Sequence, residues 1–376
     1  MKEFFAGQKQ SVTDFLTQLL MKKKEDLRRV HPMGADSVER ILDFTSRGKM
    51  LRGGLVSLAY LLTRGSSREV LRGGSPVDVS GSAGDPPEAV IAAGAAMELF
   101  QSGFLIHDDI MDRDEMRRGG ISVYTQYGKL AAERNFPDSY HTGESIGICV
   151  GDIAYFLAFE ILSGIDQPAA AMGSTGQSLL GLCSRELSYV GVAQMLDVYW
   201  GQEKGDIREE DVFGLYRYKT GRYTFSLPLM SGAILAGAED GQIELLDRIG
   251  ELLGVVFQLK DDELGLFGNE ERLGKPIGSD LKEGKKTPFF LRLVSRAKGA
   301  EQRRLNALLG SEQISAADVE YVRGLMQSYG IRDEILGICR DYAEQARDLI
   351  GGLKNVDSEY RQILTELLEY SLNREF

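Results

Sequence analysis

Hydrophobic residues recur at helical spacing along most of the chain, and no run alternates convincingly as a half-buried strand does. The pattern therefore predicts an all-α protein. It predicts helices over residues 9–30, 35–63, 87–113, 124–134, from about 151 onward, 173–204, 209–237, 241–267, 285–309, 315–328, 332–351 and 357–373. Glycine-, serine- and proline-rich residues 64–86 and residues 135–145 are predicted to be irregular connections.

No shift in composition marks a domain boundary, and no repeat of fixed period is present. Chains of this length often form two domains. The continuous helical pattern nevertheless predicts one large helical domain over residues 1–376.

The composition, with 43% hydrophobic and 27% charged residues, is that of an ordinary globular protein. A net charge of −12, without a basic stripe interleaved with aromatic residues, argues against nucleic-acid binding. The first residues lack a secretory apolar core, and no uninterrupted apolar run approaches the roughly 18–20 residues of a membrane span. Cys149, Cys183 and Cys339 stand singly in apolar runs. We therefore expect a cytoplasmic protein with buried free thiols and no transmembrane segment.

An acidic pair stands at the end of an apolar helix. Asp108 and Asp112 are four residues apart and so share one helix face, and Arg117 and Arg118 follow. An acidic run on a helix is most often a solvated surface. Paired carboxylates with adjacent arginines are also suited to Mg²⁺ and phosphate, because Mg²⁺ takes hard oxygen ligands and guanidinium groups match phosphate oxygens.

A second apolar helix ends in the same way, at Asp261 and Asp262. Two such junctions in one chain favour the functional interpretation over the solvated surface. We expect the two acidic clusters to face one cavity.

Basic residues suited to phosphate are grouped in four places. Lys49 and Arg52 share a helix face, Arg117 and Arg118 follow the first acidic pair, and Lys219 lies among tyrosines. The fourth group is the glycine- and lysine-rich loop 274–287. This loop is not a nucleotide-binding P-loop, because its glycine spacing is one residue too long and no strand precedes it.

With these residues the chain resembles the trans-isoprenyl diphosphate synthases, the farnesyl and geranylgeranyl diphosphate synthase family. The motifs that carry the resemblance occur in family order over about residues 40–290. They are Gly-Lys-x-x-Arg at 48–52, Asp-Asp-x-x-Asp-x4-Arg-Arg-Gly at 108–119, Gln-x-x-Asp at 194–197, Lys-Thr at 219–220, Phe-Gln-x-x-Asp-Asp at 257–262, and Gly-Lys…Gly-Ser-Asp…Gly-Lys at 274–285.

The resemblance implies an all-α isoprenoid synthase fold, a helical bundle around a central cavity, and usually a homodimer. It implies an enzyme that condenses isopentenyl diphosphate with an allylic diphosphate. It implies about three Mg²⁺ ions, with Mn²⁺ as an alternative, held by Asp108, Asp112 and Asp261, with Asp109, Asp262 and Asp280 as further candidates. It assigns the allylic diphosphate to Arg117, Lys219, Lys275 and Lys285. It assigns isopentenyl diphosphate to Lys49, Arg52, Gln101 and Arg118. Thr220 and Gln258 would line the reacting centre, and Gln194 and Asp197 would brace the basic groups.

One position departs from the family. Gly265 stands where most relatives carry the third aspartate of the second motif. We therefore expect the first cluster to be the stronger chelator and the third ion to rest on Asp261 and water. In the family, bulk at the fourth and fifth positions before the first aspartate shortens the product. Phe104 and Gly103 occupy those positions, with Phe100 one turn further back, which predicts a C20 product with C15 as the close competitor.

Two other functions remain open. A terpene cyclase of related fold needs only one diphosphate, and the second basic set, Lys49, Arg52 and Arg118, argues against it. A catalytically silent partner subunit of a prenyl synthase is supported by Gly265 alone.

Overall fold

The computed structural model describes residues 1–64, 85–165, 178–203, 207–268, 277–311 and 313–374. These residues are almost entirely helical, as predicted. The elements are α1 (Lys2–Arg28), α2 (Pro32–Ser46), α3 (Leu51–Thr63), α4 (Glu88–Met111), β1 (Met116–Arg117), β2 (Gly120–Ile121), α5 (Val123–Glu133), α6 (Ser139–Ser163), α7 (Leu179–Gln202), α8 (Glu209–Tyr216), a π-helix (Arg217–Ser226), α9 (Leu227–Leu235), α10 (Asp240–Phe267), α11 (Ser279–Lys282), α12 (Pro288–Arg296), α13 (Ala300–Leu308), α14 (Ala316–Ser328), α15 (Ile331–Gly352) and α16 (Ser358–Asn373).

The chain divides into two compact units. The first comprises Met1–Leu182, Pro228–Ile243 and Asn355–Tyr360, and the second comprises Cys183–Leu227, Glu244–Lys354 and Arg361–Phe376. The single-domain organisation stays a prediction from the sequence.

Helix α4 is the core of the first unit and packs against α6, α3 and α1. Residues 90–100 of α4 are buried on every side, as expected of a helix that is apolar all round. A Cβ added to Gly94 would lie 3.0 Å from the Cα of Gly53, so this glycine pair allows α3 and α4 to pack closely. The buried shaft of α4 holds the acidic residues at its C-terminal end in a defined place.

In the second unit the π-helix lies against α10. A Cβ added to Gly254 would be 2.0 Å from the Cα of Gly221, so the two backbones touch where neither residue has a side chain. This contact places Thr220 beside Gln258.

Several predicted boundaries were wrong. The helix predicted over 35–63 is broken at residues 47–50, where Met50 adopts a left-handed conformation with φ of 52°. The predicted irregular segment 135–145 is largely helix, because Asp138 caps α6 from Ser139. The helix predicted over 209–237 contains the π-helix, and the one over 285–309 is interrupted at Gly299, whose φ is 59°.

Two smaller findings also differ from the prediction. Residues Met116–Arg117 and Gly120–Ile121 form a short antiparallel pair. Cys149 is exposed, whereas Cys183 and Cys339 are buried, and all three are free. The expectation of no transmembrane segment is not contradicted. Helices α4 and α6 are long and apolar enough to cross a membrane by length and composition alone, but core helices pass the same test, and 78% and 44% of their most apolar windows are buried inside the fold.

Candidate active site

The first acidic cluster lies at the C-terminal end of α4. The helix ends at Met111, and the backbone N–H of Asp112 donates to the carbonyl of Asp108 at 2.8 Å. Asp112 therefore continues the helical path, and it shares a face with Asp108 as predicted. Both carboxylates are half-buried, whereas Asp109 is fully buried.

Arg117 folds back onto this cluster from β1. Its Nε donates to Asp109 Oδ1 at 2.5 Å, its Nη2 donates to Asp114 Oδ2 at 2.7 Å, and Nη2 lies 3.9 Å from Asp108 Oδ2. Burial raises the pKa of Asp109 to about 7, although the Arg117 guanidinium acts in the opposite direction. Arg117 is thus held among carboxylates, with Asp109 as its buried anchor.

The basic residues predicted for the second diphosphate lie in the same unit. Lys49 is exposed in the turn between α2 and α3, and Arg52 stands on the first turn of α3. Arg118 donates from Nη1 to the carbonyl of Phe44 at 2.9 Å, so it reaches the end of α2. Gln101 is half-buried on α4, two turns before Asp108.

Aromatic side chains pack behind the first cluster. The ring of Phe104 lies 5.2 Å from that of Tyr155 on α6, and the ring of Phe100 lies 4.9 Å from that of Phe159. Gly103 faces Tyr155 directly, because a Cβ added there would be 2.5 Å from Tyr155 Cε1. Gly103 therefore provides room for Tyr155, and a larger residue at 103 would first have to displace that ring.

The second acidic cluster borders a cavity of about 180 Å³ within the second unit. Charged and apolar groups share its wall. The lining residues are Asp197, Trp200, Gly201, Val212, Leu215, Tyr216, Lys219, Thr220, Gln258, Asp262, Asp280, Lys285, Lys286 and Thr287. Lys219 forms an ion pair with Asp197, and Thr220 Oγ1 donates to Gln258 Oε1 at 2.8 Å. These residues were predicted to act together, and the structure brings them to one cavity.

Asp262 is buried and held by two neighbours. Tyr216 donates its hydroxyl to Asp262 Oδ2, and Gln258 Nε2 donates to Oδ1 at 3.0 Å. Burial, together with the nearby Asp280 carboxylate, raises the pKa of Asp262 to about 8. Asp262 therefore links the tyrosine and glutamine side chains of the cavity wall.

Asp280 stands next to the position that departs from the family motif. A Cβ added to Gly265 would lie 2.9 Å from Asp280 Oδ2, and the N–H of Gly278 donates to the carbonyl of Gly265 at 3.1 Å. Lys285 lies 3.7 Å from Asp280 Oδ1 and forms an ion pair with Glu283. Burial works against the charge of Lys285, but the carboxylates of Asp280 and Glu283 keep its pKa well above the usual value. A carboxylate is thus present beside residue 265, although residue 265 does not supply it.

Asp261 is paired with a residue near the C-terminus. Arg374 donates to the Asp261 carboxylate, and its Nη2 donates to the carbonyl of Phe257 at 2.7 Å. The guanidinium carbon lies 3.7 Å from the centre of the Phe257 ring, and Arg374 is 9% exposed. The Asp261 carboxylate is therefore paired with a guanidinium group of the protein itself.

The π-helix that carries Lys219 and Thr220 is anchored by a buried ion cluster. Arg222 donates to both oxygens of Glu186 at 2.7 and 2.9 Å and to Glu251 at 2.6 Å, and Glu186 is fully buried. π-Helical turns are rare and occur often at functional sites. The cluster stabilises the segment that presents Lys219 to the cavity.

Two predicted residues remain to be located, and three residues near the site were not predicted. Gln194 is half-buried on α7, one turn before Asp197, and Lys275 lies outside the described residues. Sequence reasoning missed Tyr216, Lys286 and Arg374. Tyr216 and Lys286 flank motif residues and could have been included for that reason, whereas no sequence pattern links Arg374 to Asp261.

The carboxylates fit Mg²⁺ only in combination with another ligand. Within the described ranges, no three histidine, cysteine or acidic side chains are grouped closely enough to hold a metal ion by themselves. Mg²⁺ commonly takes one or two carboxylates and completes its shell with water and substrate phosphates. Asp108 and Asp112 in the first unit and Asp261 in the second are half-buried, hard-oxygen groups, and each unit therefore offers carboxylates of the kind that such a partial set uses.

Comparison with known proteins agrees with these features. The polyprenyl synthetase family model matches residues 36–326. The chain is 29% identical to a short chain isoprenyl diphosphate synthase of Methanothermobacter thermautotrophicus, over 98% of this chain and 94% of that protein. It is 28% identical to a geranylgeranyl diphosphate synthase of Sulfolobus acidocaldarius, over 77% and 82%.

A solved structure is also similar over nearly its whole length. The geranylgeranyl pyrophosphate synthase of Corynebacterium glutamicum, complexed with isoprenyl diphosphate and magnesium, superposes with a TM-score of 0.85 at 27% identity, covering 98% of each chain. The aspartate clusters, the basic residues beside them and the all-α fold thus occur in a chain that belongs to the polyprenyl synthetase family.

Proposed function

We propose that this protein is a short-chain trans-prenyltransferase that joins isopentenyl diphosphate to an allylic diphosphate. The observation that carries the proposal is the cavity of the second unit, where Lys219, Lys285 and Lys286 share a wall with Asp262 and Asp280. Ammonium groups and carboxylates around one small space suit a polyphosphate bound together with divalent cations.

The metal ligands are proposed from the carboxylates described above. Asp108, Asp112 and Asp261 would hold Mg²⁺, about three ions in all, with Asp109, Asp262 and Asp280 as further candidates and Mn²⁺ as an alternative metal. Magnesium supplies charge stabilisation to the departing diphosphate. The magnesium in the related Corynebacterium glutamicum structure supports magnesium as the metal.

The basic residues divide into two proposed sets. Arg117, Lys219, Lys275 and Lys285 would hold the allylic diphosphate, and Lys49, Arg52, Gln101 and Arg118 would hold isopentenyl diphosphate. Two separate cation sets are what a two-diphosphate reaction requires, and they argue against a cyclase that uses one.

The proposed reaction assigns each step to these residues. The allylic C–O bond breaks, both electrons leave with pyrophosphate, and Lys219 and Arg117 stabilise the charge that develops on it. The alkene of isopentenyl diphosphate attacks the allylic cation and forms a C–C bond, and a proton then passes to pyrophosphate. Thr220 and Gln258, joined by their hydrogen bond, would line the cation, while aromatic side chains exclude water that would otherwise quench it.

Product length is proposed to depend on the aromatic residues behind Asp108. Phe104 and Phe100 would shorten the space available to the growing prenyl chain, while Tyr155 fills the room beside Gly103. We propose a C20 product, with C15 as the competitor. The Sulfolobus acidocaldarius relative, a geranylgeranyl diphosphate synthase, supports the longer product.

The test is an incubation of the purified protein with Mg²⁺, isopentenyl diphosphate and a C5, C10 or C15 allylic diphosphate, followed by sizing of the products. We expect C20, and we expect Phe104→Ala to give longer products because it removes the phenyl ring one helical turn before Asp108. Phe136→Ala, an exposed aromatic residue outside α4, is the matched control. Absence of any condensation would contradict the proposal.

A silent partner subunit is the second candidate. Gly265 in place of an aspartate and the pairing of Asp261 with Arg374 both favour it. The same incubation separates the two functions, since a silent subunit would turn over only after a second prenyl synthase was added.

We propose a cytoplasmic homodimer. Helix α6 exposes apolar side chains, with Ile148 47% and Phe156 69% exposed, and a second copy would cover them. Light scattering should give a molar mass twice that of one chain. Phe156→Glu places a charge in the proposed interface and should reduce the measured mass to that of a single chain.

A further inference from the structure

The turn between α2 and α3 is surrounded by basic side chains. Lys49 and Arg52 flank it, Lys9 Nζ donates to the carbonyl of Gly48 at 2.8 Å, and the guanidinium carbon of Arg118 would be 3.0 Å from a Cβ at Gly48. Cations gathered at one turn repel each other unless an anion joins them. A multiply charged anion bound at this turn would therefore relieve their repulsion.

Arg47 is a fifth cation at this turn, and it extends to the hairpin that carries Arg118. A Cβ added to Gly120 would lie 1.7 Å from Arg47 Nη1 and 2.7 Å from its Cζ. The guanidinium thus rests on the backbone of Gly120, and a larger residue there would displace it. Arg118 reaches in the opposite direction to Phe44, so the two arginines cross between the turn and the hairpin.

The ion pair of Arg47 is a weak one. Its partner is Asp43, one turn earlier on α2, whose side chain is 63% exposed, while that of Arg47 is 26% exposed. Exposed pairs at this helical spacing contribute little, because water screens them. Arg47 is therefore available to a stronger anion without a large loss.

We propose that Arg47 binds the diphosphate of isopentenyl diphosphate together with Lys49, Arg52 and Arg118. The guanidinium offers paired N–H groups to phosphate oxygens, and Gly120 leaves the space that it needs. This inference rests on the proposed function. The competing interpretation is that Arg47 only fastens the hairpin to α2.

The test is a calorimetric titration of isopentenyl diphosphate alone into the full-length protein, so that no turnover occurs. We expect Arg47→Gln to weaken binding about tenfold or more. Arg47→Lys keeps the positive charge but loses the paired N–H groups of the guanidinium, so its affinity for isopentenyl diphosphate should lie between those of Arg47→Gln and the wild type. Gly120→Ala leaves Arg47 in place but displaces its guanidinium, so it should weaken binding as well. Arg28→Gln, an exposed arginine at the end of α1, is the control and should bind as the wild type does.

Steady-state kinetics and thermal unfolding complete the test. Arg47→Gln should raise KM for isopentenyl diphosphate and leave kcat and KM for the allylic substrate within about twofold. A variant that melts at a lower temperature yet binds isopentenyl diphosphate within twofold of the wild type would overturn the inference and leave the proposed function intact. If the wild type itself neither binds nor condenses isopentenyl diphosphate, the proposed function fails and the inference falls with it.

Discussion

At the end of α4, Asp108 and Asp112 share one face of a regular helix, and one arginine, Arg117, binds the carboxylates beside them. On α10 the second cluster is arranged differently. Asp261 is paired with Arg374 and Asp262 with Tyr216, and Asp280 stands beside Gly265. The first cluster thus has two half-buried carboxylates, Asp108 and Asp112, on one helix face. The second cluster has glycine at residue 265 in place of a motif carboxylate, and its first aspartate, Asp261, is paired with Arg374. From this difference we expect the first cluster to chelate metal more strongly than the second.

The sharpest test of this comparison is to neutralise one aspartate in each cluster. We expect Asp112→Asn to lower kcat about 10³-fold. Asp261→Asn should lower kcat about tenfold, because the second cluster already lacks a carboxylate at 265. Asp341→Asn, exposed on α15, is the control. The condensation rate at saturating substrate is the measurement, and equal losses at residues 112 and 261 would refute the comparison.

The π-helix packs beside the second acidic cluster, where Thr220 contacts Gln258. We expect the ion pairs of Arg222 with Glu186 and Glu251 to stabilise this π-helix. Arg222→Gln leaves Glu186 buried without its partner, so we expect the free energy of unfolding to fall by about 3 kcal/mol. Urea denaturation measures the change. Arg208→Gln removes an exposed pair with Asp211 and should leave the urea midpoint unchanged. A midpoint equal to that of the wild type in Arg222→Gln would show that the ion cluster does not support the π-helix.

Lys219 tests whether the second unit binds the allylic diphosphate. Lys219→Gln removes a charge-assisted contact, so KM for the allylic diphosphate should rise about tenfold while KM for isopentenyl diphosphate stays the same. Lys282→Gln is the control, since this lysine is exposed on α11. Equal increases in both KM values would mean that the two substrates are not separated as proposed.

The smallest expected effect concerns Arg374. This side chain competes with a metal ion for Asp261, so Arg374→Ala should raise the affinity of the protein for Mg²⁺ about threefold, measured by calorimetry without substrate. Arg347→Ala, which removes an exposed pair with Glu369, should leave the affinity unchanged. A lower affinity in the Arg374 variant would mean that this arginine supports the site instead of competing for it.

The sequence was sufficient for the fold class and the family, and for the grouping of Lys219, Thr220, Gln258 and Asp280, because helical periodicity and motif spacing are local properties. It was not sufficient for features that depend on tertiary contacts. The break at Met50 needs a left-handed residue that no propensity indicates, and the π-helix depends on the contact of Gly221 with Gly254. The pairing of Arg374 with Asp261 joins residues far apart in the chain, so no local pattern could reveal it.

The space beside Gly265 limits how this protein can be redesigned. Restoring the common motif with Gly265→Asp would place a new Cβ 2.9 Å from Asp280 Oδ2, and two carboxylates would then compete for one position. A consensus repair made at one residue would therefore repel its neighbour, and recovering the motif requires exchanging positions 265 and 280 together.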